Sequence, residues 1–353
     1  MTTPSAHRLL RWYFRLYSYA LRRLLALLTT IRRGLEDDPT RILLDHLTPD
    51  QRAAEATIQP PLPAFDGRLR LLVIVPFRDR WDLTKVCLEK LIGQDFTGLD
   101  TTVVLVDNGS VEEATRLGVD GFLSRPLALG LKFRHLRLDI PFNFSRLNNL
   151  AVAHCANLCP NYILMLNNDV EIGAVDSLQR LVRFIAANPR VSAVGCTLLF
   201  PDGRIQHSFL APGVKIVGAH PLKFLPYRAN YAWFERPRVV PGITGAVFLI
   251  RAAHFQNVGG LEEALPTAYQ DVDLSLKLLK CGSFLVTLPD IVMIHHETAT
   301  RKPDLSSTEA AWMYAKWGRY LTENPYYPAC LSRWSEAPVY TIGEGAFPWW
   351  RFA

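Results

Sequence analysis

The sequence predicts an α/β protein with a mostly parallel central sheet and helices on both faces. Three observations carry that expectation. The runs LRLLVIVPF (69–77), TTVVLVDNGS (101–110) and NYILMLNND (161–169) have the Leu/Val/Ile content of strands buried on both sides. A weaker strand, KFRHLRLD (132–139), and helical stretches separate them: DLTKVCLEKLIGQ (82–94), VEEATRLG (111–118), a segment near 145–156, and then DSLQRLVRFIAANPR (176–190). Strands alternating with helices of this length build parallel sheets with covered faces. Polar residues gather just past the strand ends, where such sheets bind ligands: Arg78-Asp79-Arg80, Asp107-Asn108, Asp139, and Asn167 to Glu171.

With 353 residues and a hydrophobic share of 49%, the chain suits one large or two modest domains with a sizeable core. Its six cysteines form no CxxC pair, so reduced thiols are expected rather than zinc or disulfides. The net charge of +6 is local, because residues 1–35 hold seven arginines and no Lys, Asp or Glu. A general affinity for nucleic acid is therefore not expected.

Six of those arginines sit in LLRWYFRLYSYALRRLLALLTTIRR (9–33), where they interrupt any apolar run long enough to span a bilayer. No small-residue cleavage site follows a clean apolar stretch, which argues against secretion. On a wheel of about 100° per residue, all but Arg23 share one side and most leucines take the other, although Phe14 and Leu25 break the pattern. A basic amphipathic helix over 1–35 with aromatic borders suits the interface of an anionic membrane; the plain alternative is a helix packed on its own domain or a partner. Residues 36–68, acidic and then proline-rich, are read as a linker.

No GxGxxG follows the first strand and no GxxxxGK[ST] occurs, so phosphates must be held another way. A divalent cation on carboxylate ligands is one such way. Asn167-Asn168-Asp169 is the best placed group, though Asn and Asp are also ordinary turn residues. Likewise, Asp271 and Asp273 in QDVDLSLKLL suit the first turn of any helix, where the dipole favours acids.

VPFRDR, VLVDNGS and LNNDVE, in this order at strand ends, resemble family 2 glycosyltransferases of GT-A fold. So do PGITGAVFLIRAAHFQNVGGLEEAL, YQDVDLSLKLLKCGSFLVTLPD and IHHETATR further on. PFNFSRLNNLA, DGRIQHS and KWGRYLTENPYYP are similar to enzymes of bacterial O-antigen and surface-polysaccharide synthesis, rhamnosyltransferases among them. The resemblance covers about residues 71–333. It implies a GT-A domain over 69–300, with a nucleotide-binding half (69–170), an acceptor half (171–300) and a helical, aromatic extension over 301–353.

It also implies roles. Pro76, Arg78, Asp79, Arg80, Asp107, Asn149, Asn167 and Asn168 fall on the donor side, with Asp107 matching the carboxylate that binds the base or ribose. Asp169 and His295 match ligands of an Mn²⁺ or Mg²⁺ ion bridging the donor diphosphate, with Glu171, His296 and Arg301 next in line. Adjacent residues on a strand face opposite ways, so only one of His295 and His296 should reach the site. Asp271 matches the general base of inverting members, and Thr244, Gly245 and Gln270 the acceptor side. His207 and YRANYAWFERP (227–237) are expected in a variable loop over the acceptor. Two departures stand out, since Asn167 replaces the first acid of a D-x-D motif and Gln270 replaces the Glu of Glu-Asp.

The expected function is an inverting, metal-assisted transfer of a sugar from a nucleotide donor to a lipid-linked or other glycan acceptor, by a cytoplasmic protein peripheral to the inner membrane face. The rivals are a degenerate glycosyltransferase-like scaffold, suggested by Asn167 and Gln270, and a sugar-nucleotide pyrophosphorylase. The latter needs a Gly-rich basic loop after the first strand, and VPFRDRWD does not supply one.

Overall fold

In the computed structural model, which describes residues 38–341 apart from 66, 126–129, 297–306 and 325–326, the apolar runs become the middle of one large sheet. Two short helices come first, α1 (Arg41–Asp45) and α2 (Pro49–Glu55). The first half continues as β1 (Leu69–Phe77), α3 (Trp81–Ile92), β2 (Leu99–Asp107), α4 (Glu113–Leu123), β3 (Leu131–Arg137), α5 (Phe144–His154) and β4 (Tyr162–Leu166). After these come β5 (Val170–Glu171), α6 (Ser177–Ala187), β6 (Val191–Leu199), β7 (Ile205–His207), β8 (Ala211–Pro212), β9 (Gly218–Ala219) and β10 (Arg238–Val240). The described chain closes with β11 (Val247–Arg251), α7 (Ala252–Asn257), α8 (Gln270–Lys280), β12 (Phe284–His295) and α9 (Ser307–Thr322). The expected basic helix and residues 342–353 of the C-terminal extension lie outside the described residues.

The sheet runs β10-β12-β6-β11-β4-β1-β2-β3, with β5 on β12 and β7 on β6. Strands β1 to β4, β6 and β12 share one direction, while β10 and β11 run against them. Alternate residues of the central strands enter two cores: Val73, Val75, Val103 and Leu105 face α3, α4 and α6. Leu72, Ile74, Val104 and Val106 face α5 and α8. Each fully buried Val, Leu or Ile contributes about 1.5–3 kcal/mol, so the sheet forms a rigid platform. Helix α8 is covered on its outer side by Met313, Trp317 and Leu321 of α9.

The stretch read as a linker carries α1 and α2, which pack on the domain through Ile42, Leu43 and Ala54. Thr48 and Gln51 form a capping box at the start of α2, which the proline-rich composition further along hides. Among the described residues no helix is long and apolar enough to cross a membrane. All six cysteines are free.

Strand β12 positions the site. Its pairing with β6 is interrupted by a bulge over 289–291, after which it continues and pairs with β5. Bulges of this kind re-aim a strand. Here the result is that His295 lies opposite Val170, one residue from Asp169.

Candidate active site

Leu166 ends β4, and Asn167-Asn168-Asp169 turns the chain into β5. The Asn168 amide donates to Thr84 Oγ1 of α3 at 2.9 Å, and Val170 N–H reaches back to Asn167 O at 3.3 Å. Asn167 and Asp169 instead point at His295. Asn167 Nδ2 stands 3.4 Å from His295 Nε2, and Asp169 Oδ1 lies 3.1 Å from the same atom. Both the Asp169 and His295 side chains are only 12% exposed. His296 turns to Glu171 instead, Nε2 to Oε1 2.6 Å, and its N–H donates to Asp169 O.

Two donors side by side on a small octahedral cation stand about 3 Å apart, which the Asp169–His295 spacing matches. His295 Nδ1 is taken by Gln206 Oε1 at 2.6 Å, so Nε2 is the nitrogen left for a ligand. Among the described residues no cluster of three or more His, Cys, Asp or Glu could hold a metal alone. A cation here would take Asp169 and His295 from the protein and its remaining ligands from elsewhere, such as a diphosphate. The residues fit that group.

Asn167 also ties this corner to Asp271. Its N–H donates to Ala246 O at 2.9 Å, and the neighbouring Gly245 N–H donates to Asp271 Oδ2 at 3.0 Å. Asp271 sits in the first turn of α8, and Oδ1 accepts from Val272 N–H at 2.9 Å. A Cβ on Gly245 would meet Phe144 and Asp271 Cβ only at ordinary contact distances, so glycine here is not forced by the protein itself. Thr244 is half-buried beside it. Gln270 is 5% exposed, and its Oε1 has no hydrogen-bond partner among the described residues. The residue before it, Tyr269, is held at φ +64°, a left-handed conformation rare for a bulky side chain. Asp273 is fully buried, bonded to Trp317 Nε1 (2.7 Å) and paired with Lys277 and Lys316, as a structural acid would be.

On the other side of β4, Asp107 ends β2. Its Oδ1 accepts from Ser110 N–H at 2.7 Å and Oδ2 from Arg137 Nη1 at 2.9 Å, with His135 Nε2 at 3.8 Å. Burial pushes the carboxyl up, but the His135 ring, Ser110 and the Arg137 guanidinium together outweigh it and bring the pKa down to about 2. The turn after it needs Gly109 at φ +69°, where a Cβ would stand 2.8 Å from Asp139 Oδ1. Because the folded pKa lies below the unfolded one, the stabilisation is complete above about pH 4 and is lost as pH falls toward 2. An Asp107→Asn variant is expected to show a flatter stability profile across that window, measured by urea unfolding at stepped pH.

Other sequence-selected residues are occupied elsewhere. Asp79 Oδ1 accepts from Val111 and Glu112 N–H at 2.8 and 2.9 Å, holding the loop ahead of α4. Arg80 makes a two-pronged pair with Asp82 at 3.0 and 2.8 Å. Pro76 is buried within β1 and Arg78 is exposed at its end. Asn149 spends its amide on Leu261 and Glu263, binding α5 to the 260–263 loop. Arg301 lies outside the described residues. The stretch of His207 and YRANYAWFERP, expected as a loop over the acceptor, is in part core. Trp233 and Phe234 are core residues at 2% exposure, and Trp233 donates to Ser208 Oγ at 2.8 Å. His207 is buried too, Nδ1 to Nδ1 2.8 Å from His220.

That histidine pair has a stability consequence. Burial above all, with Lys223 and His295 nearby, pushes His220 down to about 3; burial and His220 push His207 well below its ordinary value. The unfolded chain takes up protons below about pH 6.5 that the folded pair refuses, so stability falls as pH drops, by about 1.4 kcal/mol per pH unit for each group. His220→Asn is expected to reduce that slope between about pH 6.5 and 4 in the same unfolding series.

Gln206, which faces His295 from β7, was the residue that sequence reasoning missed. It lies in the RIQHS stretch beside the more conspicuous His207.

A mostly parallel sheet with acids and a histidine beyond its strand ends, and β11 running against its neighbours, is the GT-A architecture. The chain belongs to glycosyl transferase family 2, whose family model matches residues 72–259. It is 31% identical to the O-antigen biosynthesis protein RfbC of Myxococcus xanthus over 299 residues, 81% of this chain and 22% of that protein. It is 25% identical to an N-acetylglucosaminyl-diphospho-decaprenol L-rhamnosyltransferase of Mycobacterium tuberculosis, over 60% of this chain and 71% of that one. Thus the chain spans only about a fifth of the RfbC relative. Among solved structures, a mannosyltransferase of Pyrobaculum calidifontis, in complex with GDP-Man and Mn²⁺, has the same fold at TM-score 0.52 and 19% identity, covering 84% of this chain and 75% of that one. GalNAc-T7 with UDP, GalNAc and Mn²⁺ follows at 0.51 and 15%, covering 65% and 44%.

Proposed function

We propose that the chain transfers a sugar, with inversion, from a nucleotide donor to a glycan or lipid-linked saccharide in surface-polysaccharide synthesis. The observation that carries this reading is the backbone link from Asp271 through Gly245 and Ala246 to Asn167, which holds a carboxylate base in fixed relation to the Asp169–His295 pair. Asp271 takes the proton of the acceptor hydroxyl as that oxygen bonds to the anomeric carbon. The bond from that carbon to the diphosphate breaks, and its electron pair leaves with the diphosphate oxygen. Asp169 and His295 would hold a divalent cation, which when bound supplies Lewis-acid stabilisation to the departing diphosphate. Asp107, ionised and nearly buried, offers its remaining lone pairs to the donor's base or ribose.

The relatives' names support a polysaccharide setting, and the M. tuberculosis relative's name describes a polyprenyl-diphosphate acceptor. Inversion is tested by NMR of the glycoside product, which is expected to carry the anomeric configuration opposite to the donor's; a retained configuration contradicts the role of Asp271. The arginine-rich segment 1–35 is proposed to hold the protein to anionic membrane. Its removal is expected to abolish co-sedimentation with phosphatidylglycerol vesicles, and unchanged sedimentation contradicts the anchor.

A further inference from the structure

We infer that Gln206 is a positioning residue: its amide grips His295 at both the backbone carbonyl and Nδ1, fixing the ring tautomer that turns the Nε2 lone pair toward Asp169. This rests on the metal-site reading above.

The hydrogen bonds leave one consistent assignment. Gln206 Nε2 lies 3.2 Å from His295 O, and a carbonyl can only accept, so the amide nitrogen must face it. The amide oxygen then faces Nδ1 at 2.6 Å, and an oxygen acceptor there requires the proton on Nδ1. Reversing the amide would set two oxygens against each other at the carbonyl. With Nδ1 protonated, the neutral ring presents a lone pair at Nε2. Asn167 Nδ2, a donor, lies 3.4 Å from it, and Asp169 Oδ1, an acceptor, 3.1 Å. A lone pair and a carboxylate oxygen at that separation repel unless a proton or a metal cation lies between them.

Gln206 is 5% exposed and sits on β7, which pairs with β6 through Leu198 and Leu199, themselves beside Met293 and Ile294 of β12. It therefore approaches His295 from the sheet's own framework rather than from a loop. Fixing the second ring nitrogen of a metal-binding histidine is worth 10–100-fold in metal affinity.

The test titrates Mn²⁺, alone and with UDP, GDP or dTDP, into the full chain and into Gln206→Met, Gln206→Glu and Asp169→Ala, reading bound Mn²⁺ by electron paramagnetic resonance. Gln206→Met keeps the volume without the hydrogen bonds and is expected to raise the Kd for Mn²⁺ by about 10–100-fold. Gln206→Glu still accepts from Nδ1–H but loses the donor to His295 O, and is expected to bind Mn²⁺ more tightly than Gln206→Met. Long-range ¹H–¹⁵N spectra of ring-labelled protein, with His295→Asn for assignment, are expected to show Nδ1–H in the parent and its loss in Gln206→Met. Gln206→Met that binds like the parent while Asp169→Ala does not overturns the role of Gln206 alone. Equal weakening in Gln206→Met and Gln206→Glu overturns it as well, since packing then explains the loss. A parent that binds no more Mn²⁺ than Asp169→Ala overturns the metal site, and this inference with it.

Discussion

Asp271→Asn is expected to reduce sugar transfer by at least about 100-fold while leaving donor affinity nearly unchanged, the range typical of a lost general base. The substitution is close to isosteric. An Asn carbonyl oxygen can still accept the Gly245 N–H that Asp271 Oδ2 accepts at 3.0 Å, so the joint between α8 and the β4 turn persists, while the acceptor of the Val272 N–H is lost. What disappears is the ability to take a proton. The two readouts separate base from scaffold: single-turnover transfer should collapse, while equilibrium binding of the donor and thermal melting should hold. Transfer at the parent rate would remove Asp271 from the mechanism.

Asp169→Asn ranks second. With Asn167 already an amide, it removes the carboxylate from this turn and leaves His295 with two neutral neighbours. Mn²⁺ affinity and transfer are both expected to fall by about 100-fold, and chelation of the parent should abolish transfer reversibly on adding Mn²⁺ back. The opposite change sharpens the argument. Asn167→Asp sets a second carboxylate against His295 Nε2, where Asn167 Nδ2 now stands at 3.4 Å. It is expected to bind Mn²⁺ more tightly and, without metal, to melt earlier. Transfer by the parent that survives exhaustive chelation would refute the metal's role.

The central strands were legible because burial on both faces demands unbroken apolar runs, and β1, β2 and β4 fall where LRLLVIVPF, TTVVLVDNGS and NYILMLNND place them. The second half of the sheet was not laid out strand by strand, because β6 and β10 are linked by a long irregular segment, and β10 and β11 by a short loop, rather than by regular crossover helices. Within the site, residue type at a strand end marked Asp107, Asn167 and Asp169, and the family resemblance marked Asp271. It did not show how side chains are spent. Asn149 and Asn168 carry the same amide as Asn167, yet both are bound to other parts of the fold. Asp79 is spent on a loop in front of α4, because a left-handed turn at 79–80 brings its carboxylate under the backbone amides of Val111 and Glu112. Gln206 gains its place only from the pairing of β7 with β6, a contact that no local pattern announces.

The constellation around Asp169, His295 and Asp271 is proposed to turn over a sugar nucleotide. The direct measurement incubates the full chain with Mn²⁺ and, in turn, the UDP-, GDP- and dTDP-linked sugars, and quantifies released nucleoside diphosphate against Asp271→Asn and Asp169→Asn controls. One donor, or a narrow set sharing one base, is expected to be consumed by the parent chain and by neither variant. No release from any donor with a polyprenyl-diphosphate saccharide present, or equal release by the parent and both variants, would contradict it.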